Sequence, residues 1–306
     1  MSFFSNKYET AGSGISKDAA RKKGAALFFE LLGRKLWKLM WLNLLYVLFF
    51  IPLFLILGVI QLTQNTTILA IVSVLLIGTF VITIGPATAG LMKVIRLFYI
   101  EKHSFITRDF FNGFKENFKP AATIGVLDCI IILSAIASLN VYPWLAVNYT
   151  RLLYIPMVLT LSVFLIVFIM NFYIFFMMTA TSLSMKDLLK NSFTLAIAAP
   201  KQNLIAVGVF VATLLLMRFL MFKLFSLFTL LLPVFPAAFL ALVICCCCYP
   251  VIQKYVIDPF YTEQGKVNPE YLTGAEDIDE ETIFEDMGGK EAPIENRKKS
   301  KAKVIK

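Results

Sequence analysis

The chain has 306 residues, of which 58% are hydrophobic and only 16% are charged, and its formal net charge is +9. Soluble domains are about 45–50% apolar and about 25% charged, so this composition excludes an ordinary soluble domain and indicates a protein that crosses the bilayer several times. The basic residues flank apolar runs, which is typical of membrane topology and lipid contact. We therefore expect the lipid bilayer as a partner and no binding of nucleic acid.

Residues 1–38 are polar or amphipathic and contain 8 Lys or Arg. They do not resemble a cleaved signal peptide, because the apolar run that follows is too long and has no small-residue cleavage site. We predict three parts of the chain: a basic cytoplasmic segment at 1–38, a membrane domain at 39–255 and a disordered cytoplasmic tail at 256–306.

Six stretches reach the roughly 20 residues that a helix needs to cross hydrocarbon. They lie near 39–61, 68–92, 120–141, 153–181, 203–222 and 224–252. Only Met221–Lys223 separates the last two, so a re-entrant hairpin is the alternative to two complete spans. The predicted fold class is an all-α membrane protein with six transmembrane helices and short amphipathic cytoplasmic helices.

The distribution of basic residues predicts the orientation of these spans. Residues 1–38, 93–119, 182–202 and 253–306 carry 26 of the 29 Lys and Arg. Loops rich in Lys and Arg are retained on the cytoplasmic side, so both termini are predicted to be cytoplasmic. Because the outer loops are short, we expect a soluble partner to be met mainly on the inside.

The second span ends in Gly85-Pro86-Ala87-Thr88, where we expect the helix to be interrupted. Proline lacks an N–H, and its ring clashes with the carbonyl four residues earlier. Such a break is tolerated at membrane depth only where other protein groups or water satisfy the freed carbonyl. We interpret Gly85, Pro86 and Thr88 as a joint that sets an inner helix against the bundle; the alternative is a kink that lines a transport path. Ala180–Lys186 partly repeats Ala87–Lys93.

Residues 107–119 predict a short amphipathic helix after the second span. Thr107 is placed to cap its N-terminus, and Asp109 lies in the first turn, where the helix dipole favours a negative charge. One face carries Phe110, Phe111, Phe114 and Phe118 at helical spacing. We expect this face to lie in the membrane interface or to pack on the bundle. The pattern fits a simple connector and a partner-docking helix equally well.

Ser184–Asp187 matches a capping-box pattern and predicts the start of a second helix of this kind. Pro200 is expected to end this helix before the fifth span begins.

Asp128 is the one acidic residue inside a predicted span. An ionisable group at membrane depth is costly and is by default a candidate functional residue. The alternative, which we favour, is a structural role in which Asp128 is hydrogen-bonded to a polar neighbour such as Asn171 and joins two helices.

The remaining candidate residues do not form a reactive site. His103 is the only histidine, and no acid or cysteine surrounds it at a spacing suited to metal binding. Cys245–Cys248 are consecutive, so on a helix their side chains point about 100° apart and cannot converge on one ion. The sequence contains no P-loop, Rossmann fingerprint, zinc-protease helix or nucleophile elbow. We expect no catalytic, metal-binding or cofactor-binding residue, no cofactor and no enzymatic activity.

The tail separates its charges into two blocks. Residues 276–286 are acidic and residues 297–306 are basic, with few apolar residues between them. Such a composition predicts disorder.

Three stretches together resemble the YesL-like family of bacterial membrane proteins of unknown function. They are Trp37–Pro52, Ile84–Leu91 and Asp109–Lys119, and the resemblance is good over 29–125 and looser to about 255. It implies a multi-pass helical protein of a bacterial plasma membrane, associated with carbohydrate utilisation and sugar uptake. The family defines no catalytic residues, so none are transferred. This chain differs from the usual member in its N-terminal segment, its tail and the stretch 59–80.

Two functional hypotheses follow. The first is an accessory membrane protein of carbohydrate uptake that docks a sugar transporter component or a cytoplasmic protein through 107–119 and 184–199. The second is that the chain is itself a permease or transporter subunit, with the interrupted second span on the transport path. The sequence predicts neither a substrate nor an oligomeric state.

Overall fold

The computed structural model of the chain describes residues 24–266 and 268–271. Every regular element in these residues is helical, which confirms the predicted all-α class. The predicted segment 1–38 is described only from residue 24, and the acidic and basic blocks at 276–286 and 297–306 lie outside the described residues.

Twelve α-helices follow one another in the described part of the chain. They are α1 (Ala25–Leu48), α2 (Ile51–Leu62), α3 (Thr66–Ile82), α4 (Thr88–Tyr99), α5 (Ile106–Glu116), α6 (Phe118–Asn148), α7 (Tyr154–Ala180), α8 (Met185–Ala198), α9 (Pro200–Lys223), α10 (Phe225–Leu231), α11 (Pro236–Ile252) and α12 (Asp258–Glu263). Two π-helical turns, Thr83–Ala87 and Gln253–Ile257, join α3 to α4 and α11 to α12.

Five of the resulting continuous helices are long and apolar enough to cross a membrane. They are Thr66–Tyr99, Phe118–Asn148, Arg151–Ala180, Pro200–Lys223 and Pro236–Glu263. The pair α1 and α2, bent by 43°, passes the same test together and would be a sixth span. The chain is therefore a multi-pass membrane protein, as its composition predicts.

The first predicted span, 39–61, is not one straight helix. Its helix begins earlier, at Ala25, and the chain bends after Leu48 before α2 begins at Ile51. Leu27 and Leu31 are buried in the main core, so the predicted domain boundary at residue 38 falls inside a packed helix. The amphipathic pattern of residues 25–38 reflects packing on the bundle.

The expected interruption at Gly85-Pro86 is also different in the structure. Pro86 lies in the π-helical turn Thr83–Ala87, and the helix continues through it to Tyr99. A π turn widens the helix by one residue and is one of the recognised ways to accommodate a proline. The second span therefore extends past its predicted end at 92. Its partial repeat at Ala180–Lys186 has another shape, because α7 ends at Ala180.

The last two predicted spans correspond to two separate long helices. Both α9 and the helix Pro236–Glu263 are long enough to cross a bilayer, and the short α10 lies between them. Asn43 of α1 fixes the start of α11: its Oδ1 accepts hydrogen bonds from the backbone N–H groups of Ala237 (2.8 Å) and Ala238 (3.1 Å), and its Nδ2 donates to Leu232 O (3.1 Å). A side chain from a distant helix thus caps α11.

The buried core lies in one half of the molecule. It is built from residues 87–100 of α4, 121–129 of α6, 170–178 of α7 and 238–257 of the last span, together with the buried face of α1. In contrast, α2 and α3 contain no buried residue, although both are almost wholly apolar. Exposed apolar surface of this extent is stable in lipid and is a liability in water.

The predicted disordered tail differs from the structure over its first part. Residues 256–257 end the π turn, α12 follows at Asp258–Glu263, and Asn268 and Glu270 are buried against the bundle. Asn268 Nδ2 donates to Asp258 Oδ1 (2.8 Å), and Tyr271 Oη donates to Asp258 Oδ2 (3.0 Å). The membrane domain therefore continues beyond residue 255, at least to Tyr271.

Candidate functional site

The predicted joint at Gly85 and Pro86 packs directly on α6. Both residues are buried, and a side-chain carbon at Gly85 would collide with the backbone carbonyl of Ala121. From the other side, a Cβ at Gly125 would lie 2.7 Å from Val81 O. Only glycine permits two helix backbones to approach this closely. The structure thus places these two predicted residues in a helix contact, and they do not line the cavity described below.

A second glycine contact fixes α5 on α4. A Cβ at Gly90 would lie 2.7 Å from Phe110 O, and one at Gly113 would lie 3.0 Å from the Cα of Gly90. Phe110 is fully buried between these helices, and Lys93 forms an ion pair with Glu116 across them. The helix α5 is therefore held against α4 from Phe110 to Glu116.

The four phenylalanines of the predicted apolar face do not share one environment. Phe49, at the bend between α1 and α2, contacts the rings of Phe110 (5.6 Å between centroids), Phe111 (6.3 Å) and Phe114 (5.1 Å). Phe111 and Phe118 remain 38% and 40% exposed. Phe110 and Phe114 thus pack on the bundle, which was one of the two predicted placements, whereas Phe111 and Phe118 stay exposed.

The predicted cap of this helix is wrong. The helix begins at Ile106, and the Asp109 carboxylate accepts a hydrogen bond from the N–H of Phe105 (2.8 Å). Thr107 instead lies within the first turn, where its hydroxyl accepts a hydrogen bond from Trp41 Nε1 (3.2 Å). Asp109 therefore stabilises the helix start, and Thr107 joins α5 to α1.

The predicted capping box of α8 is confirmed in its main contact. The Ser184 hydroxyl accepts a hydrogen bond from the N–H of Asp187 (3.3 Å), and α8 follows at Met185. Its C-terminal end is held by Asn203 of α9, whose Nδ2 donates to Ala196 O (2.7 Å) while its Oδ1 accepts from Tyr173 Oη (2.6 Å). Both short helices, α5 and α8, are thus fixed to the half of the molecule that contains the buried core, which we call the packed half.

The predicted contact of Asp128 with Asn171 is confirmed. Asn171 Nδ2 donates a hydrogen bond to Asp128 Oδ1 over 2.7 Å, joining α7 to α6. Asp128 is 5% exposed, and within the described residues no Lys or Arg pairs with it. The Oδ1 of Asn171 is buried without a hydrogen-bond partner among the described residues.

A cavity of about 480 Å³ lies beside this pair, between α1, α4, α6, α7, α9 and α11. Its polar lining residues are Tyr46, Thr88, Asp128 and Asn171. Tyr46 Oη and Thr88 Oγ1 are 3.0 Å apart and hydrogen-bond to each other. The apolar lining includes the five rings of Phe164, Phe168, Phe172, Phe175 and Phe210. Of the predicted site residues, only Thr88 and Asp128 meet in one cavity.

A buried polar cluster that the sequence did not predict lies near the ends of α4 and α11. Arg96 donates to Glu270 Oε1 through Nη2 (2.5 Å), to Tyr249 Oη through Nε (2.7 Å) and to Thr179 O through Nη1 (2.9 Å). Tyr249 Oη donates to the same carboxylate (2.6 Å), as does Gln253 Nε2 (2.8 Å). The Glu270 carboxylate therefore accepts hydrogen bonds from three side chains, those of Arg96, Tyr249 and Gln253.

The electrostatics of this cluster favour an ionised Glu270. Burial by itself raises the pKa of the Glu270 carboxyl. The charge of Arg96 and the hydrogen bonds from Tyr249, Arg96 and Gln253 act in the opposite direction and outweigh burial, so the pKa of Glu270 lies below its ordinary value. The carboxylate is thus charged over the whole neutral range.

Glu270 could not have been found from local sequence, because its partner Arg96 is 174 residues away. Arg96 itself had a signal. The apolar spacing of Leu91, Val94, Ile95 and Phe98 continues the second span past its predicted end, which makes Arg96 a charge within a packed helix.

The other residues considered for chemistry are dispersed. The ring of His103 packs against Phe105, 4.8 Å between centroids. Cys245 and Cys248 are buried on α11 within the core. Within residues 24–266 and 268–271, no group of three or more His, Cys, Asp or Glu is placed to hold a metal ion.

These features define a multi-pass, all-α membrane protein with a packed half, two fixed short helices and an apolar cavity. Residues 39–140 match a family described as a protein of unknown function, DUF624, and this match covers about a third of the 306 residues. The match falls where the sequence most resembles the YesL-like family and is consistent with it. No curated protein and no solved structure matches the chain.

Proposed function

We propose that this chain is a non-enzymatic accessory protein of a bacterial plasma membrane that docks a component of sugar uptake. The docking surface consists of the outward faces of α5 and α8. The observation that supports this proposal is that both helices are fixed to the packed half and still present exposed charged and aromatic side chains.

The exposed face of α5 carries Thr107, Arg108, Phe111, Lys115 and Glu116. That of α8 carries Lys186, Lys190, Phe193, Thr194 and Ile197. Phe193 and Ile197 are 45% and 62% exposed. A rigid helix face that mixes aromatic anchors with basic residues suits a protein partner, because ordering such a face on binding costs little conformational entropy.

The orientation predicted from the Lys and Arg distribution places both faces in the cytoplasm. A cytoplasmic or membrane component of a transporter is accessible there, whereas the outer loops offer little surface. The link to carbohydrate uptake rests on the resemblance to the YesL-like family, and the match to a family of unknown function is compatible with it.

The cavity is the observation that favours the alternative, a permease. Its lining argues against a sugar as the transported molecule, because only four of its lining residues are polar and these form two hydrogen-bonded pairs, Tyr46 with Thr88 and Asp128 with Asn171. A sugar carries many hydroxyl groups, and each one buried without a partner costs free energy. An accessory role therefore fits the geometry better.

The test is in-cell crosslinking and co-purification from a native host grown on the relevant glycan. Recovery of a transporter component should fall for Arg108→Glu and Lys115→Glu on α5 and for Lys190→Glu and Phe193→Ala on α8. The matched controls Arg151→Glu and Lys223→Glu change exposed basic residues of the opposite loops and should not affect recovery.

Two results would count against the proposal. One is that no transporter component is recovered with the parent protein. The other is that purified protein in vesicles transports the sugar unaided, which would favour the permease.

A further inference from the structure

The cavity beside Asp128 is lined by two polar pairs, Asp128 with Asn171 and Tyr46 with Thr88, and otherwise by apolar side chains. Asp128 and Asn171 adjoin each other on α6 and α7, while Phe168, Phe172 and Phe210 pack with one another, with centroids of the Phe168 and Phe210 rings 4.9 Å apart. A volume of about 480 Å³ lies within the range of about 300–1,000 Å³ that is usual for small-molecule sites.

One buried acceptor of the Asp128–Asn171 pair has no donor in the part of the chain that the structure describes. Asp128 receives one hydrogen bond, from Asn171, and Asn171 Oδ1 is buried with no partner in the described residues. No cation of the described chain pairs with Asp128. Buried polar atoms in native proteins almost always have partners, so an unpaired acceptor beside a cavity points to a group that is supplied from outside.

The chemistry of that group follows from the wall. A carboxylate head would meet the carboxyl group of Asp128 and an oxygen of Asn171, which repel or fail to bond it. A hydroxyl donates one hydrogen bond, and an ammonium donates up to three and also opposes the charge of an ionised Asp128. Tyr46 and Thr88 already bond to each other, and the lining side chains outside the two polar pairs are phenylalanine and aliphatic, so the rest of the molecule must be apolar.

We propose that the cavity between α1, α4, α6, α7, α9 and α11 binds a lipophilic molecule from the bilayer whose head group donates hydrogen bonds, an alkyl amine or an alkyl alcohol, with that head at Asp128 and Asn171 and its chain against the phenylalanines. This site is separate from the docking faces of α5 and α8. It extends the proposed function without depending on it.

The test uses the full chain in nanodiscs of phosphatidylcholine. The probe is hexadecylamine with a photoreactive diazirine in its chain, and the labelled peptides are mapped by mass spectrometry. The competitors are unlabelled hexadecylamine, hexadecanol, hexadecane and palmitate. We expect labelling at 164–175 and around Phe210, with hexadecylamine and hexadecanol competing at concentrations roughly 10-fold or more below those of hexadecane and palmitate. The alcohol arm separates hydrogen bonding from charge.

Two variants examine the two ends of the cavity. Asn171→Leu removes the unpaired acceptor and should reduce the advantage of hexadecanol over hexadecane to less than about 3-fold. Ala241→Leu changes a wall residue that is 2% exposed. The larger side chain should fill part of the cavity and reduce labelling by the photoreactive probe. The matched controls are Asn140→Leu and Ala212→Leu, which alter exposed residues away from the cavity and should label as the parent does.

The comparison of competitors on the parent chain needs no variant, so misfolding of Asn171→Leu leaves the test intact. Asp128→Asn is the second polar variant, and it should bring hexadecylamine to the level of hexadecanol. The proposal is overturned if hexadecane competes as well as hexadecylamine and hexadecanol. It is equally overturned if the label spreads over the exposed faces of α2 and α3 without enrichment at the cavity.

Discussion

Replacing Glu270 by alanine removes the carboxylate that accepts hydrogen bonds from Arg96, Tyr249 and Gln253. The side chains of Glu270 and Arg96 are only 6% and 16% exposed, so the guanidinium left behind stays largely away from water. Three lost hydrogen bonds to a charged group, at about 1.5–3 kcal/mol each, give an upper bound, because such energies are not additive. Removing one partner of a buried ion pair costs about 3–5 kcal/mol, and this is the decrease we expect in the free energy of unfolding.

Glu270→Gln separates charge from shape. Its amide oxygen still accepts a hydrogen bond from Arg96, so the expected loss is smaller, about 1–3 kcal/mol. The control is Glu101→Ala, which removes the exposed ion pair with Arg34, whose side chains are 33% and 47% exposed. An exposed pair contributes at most about 1 kcal/mol.

The assay is denaturant-induced unfolding of the purified variants in one detergent, followed by near-UV circular dichroism. The double variant Arg96→Met with Glu270→Ala should cost clearly less than the sum of the two single changes, since no unpaired charge remains. If Glu270→Ala is no less stable than Glu101→Ala, Glu270 does not pair with Arg96 in the folded protein and the described end of the chain is not anchored there.

Three further predictions concern the same packed half. First, the pKa of Glu270 is lower in the folded protein than its ordinary value, so its contribution to stability is fully present above that ordinary value and is lost as the pH falls through the folded pKa. Stability measured from pH 7 to pH 3 should therefore show a larger acid-dependent loss in the parent than in Glu270→Gln. Second, Gly90→Ala should lower the free energy of unfolding by about 1–3 kcal/mol, because the new Cβ would lie 2.7 Å from Phe110 O. The control Gly78→Ala meets nothing within 4 Å and should be neutral or stabilising by up to about 1 kcal/mol. Equal effects of the two substitutions in chemical unfolding would contradict the close helix contact. Third, Asn43→Ala should cost about 1–2 kcal/mol by uncapping α11, and hydrogen exchange at the N–H of Ala237 should accelerate; unchanged exchange there would show that Asn43 is not the cap.

The extent of the membrane domain could be predicted in its middle but not at its ends. Spans of apolar residues are recognisable from composition alone, which is why 120–141 falls within an observed helix and 153–181 matches another to within one residue at its end. Residues 25–38 and 256–271 are polar enough to resemble flanking segments. Their burial depends on contacts such as that between Leu31 and the core, which no local pattern reports.

The candidate site, too, could be predicted only in part from the sequence. Asp128 was recognisable because a single acid in an apolar stretch must find a partner, and Asn171 was the polar group at hand on another span. The sequence around Pro86 indicated a disturbance of the helix there, but it did not indicate a π-helical turn. Whether proline breaks a helix or is absorbed in a π turn depends on the neighbouring helix, here on the carbonyl of Ala121 against Gly85.

Residue order alone predicts that this protein is helical, crosses the membrane several times and carries a short amphipathic helix after its second span, because hydrophobicity and its period are local properties of the chain. Which polar groups meet depends on the packing of distant helices. Asn43 caps α11 through a hydrogen bond from Ala237, which lies 194 residues further along the chain. Arg96 pairs with Glu270, which lies 174 residues after it. Such pairs form because a buried charge or a buried helix end finds no hydrogen-bond partner in lipid or in an apolar core. Any polar residue that packing brings within hydrogen-bond distance can supply that partner.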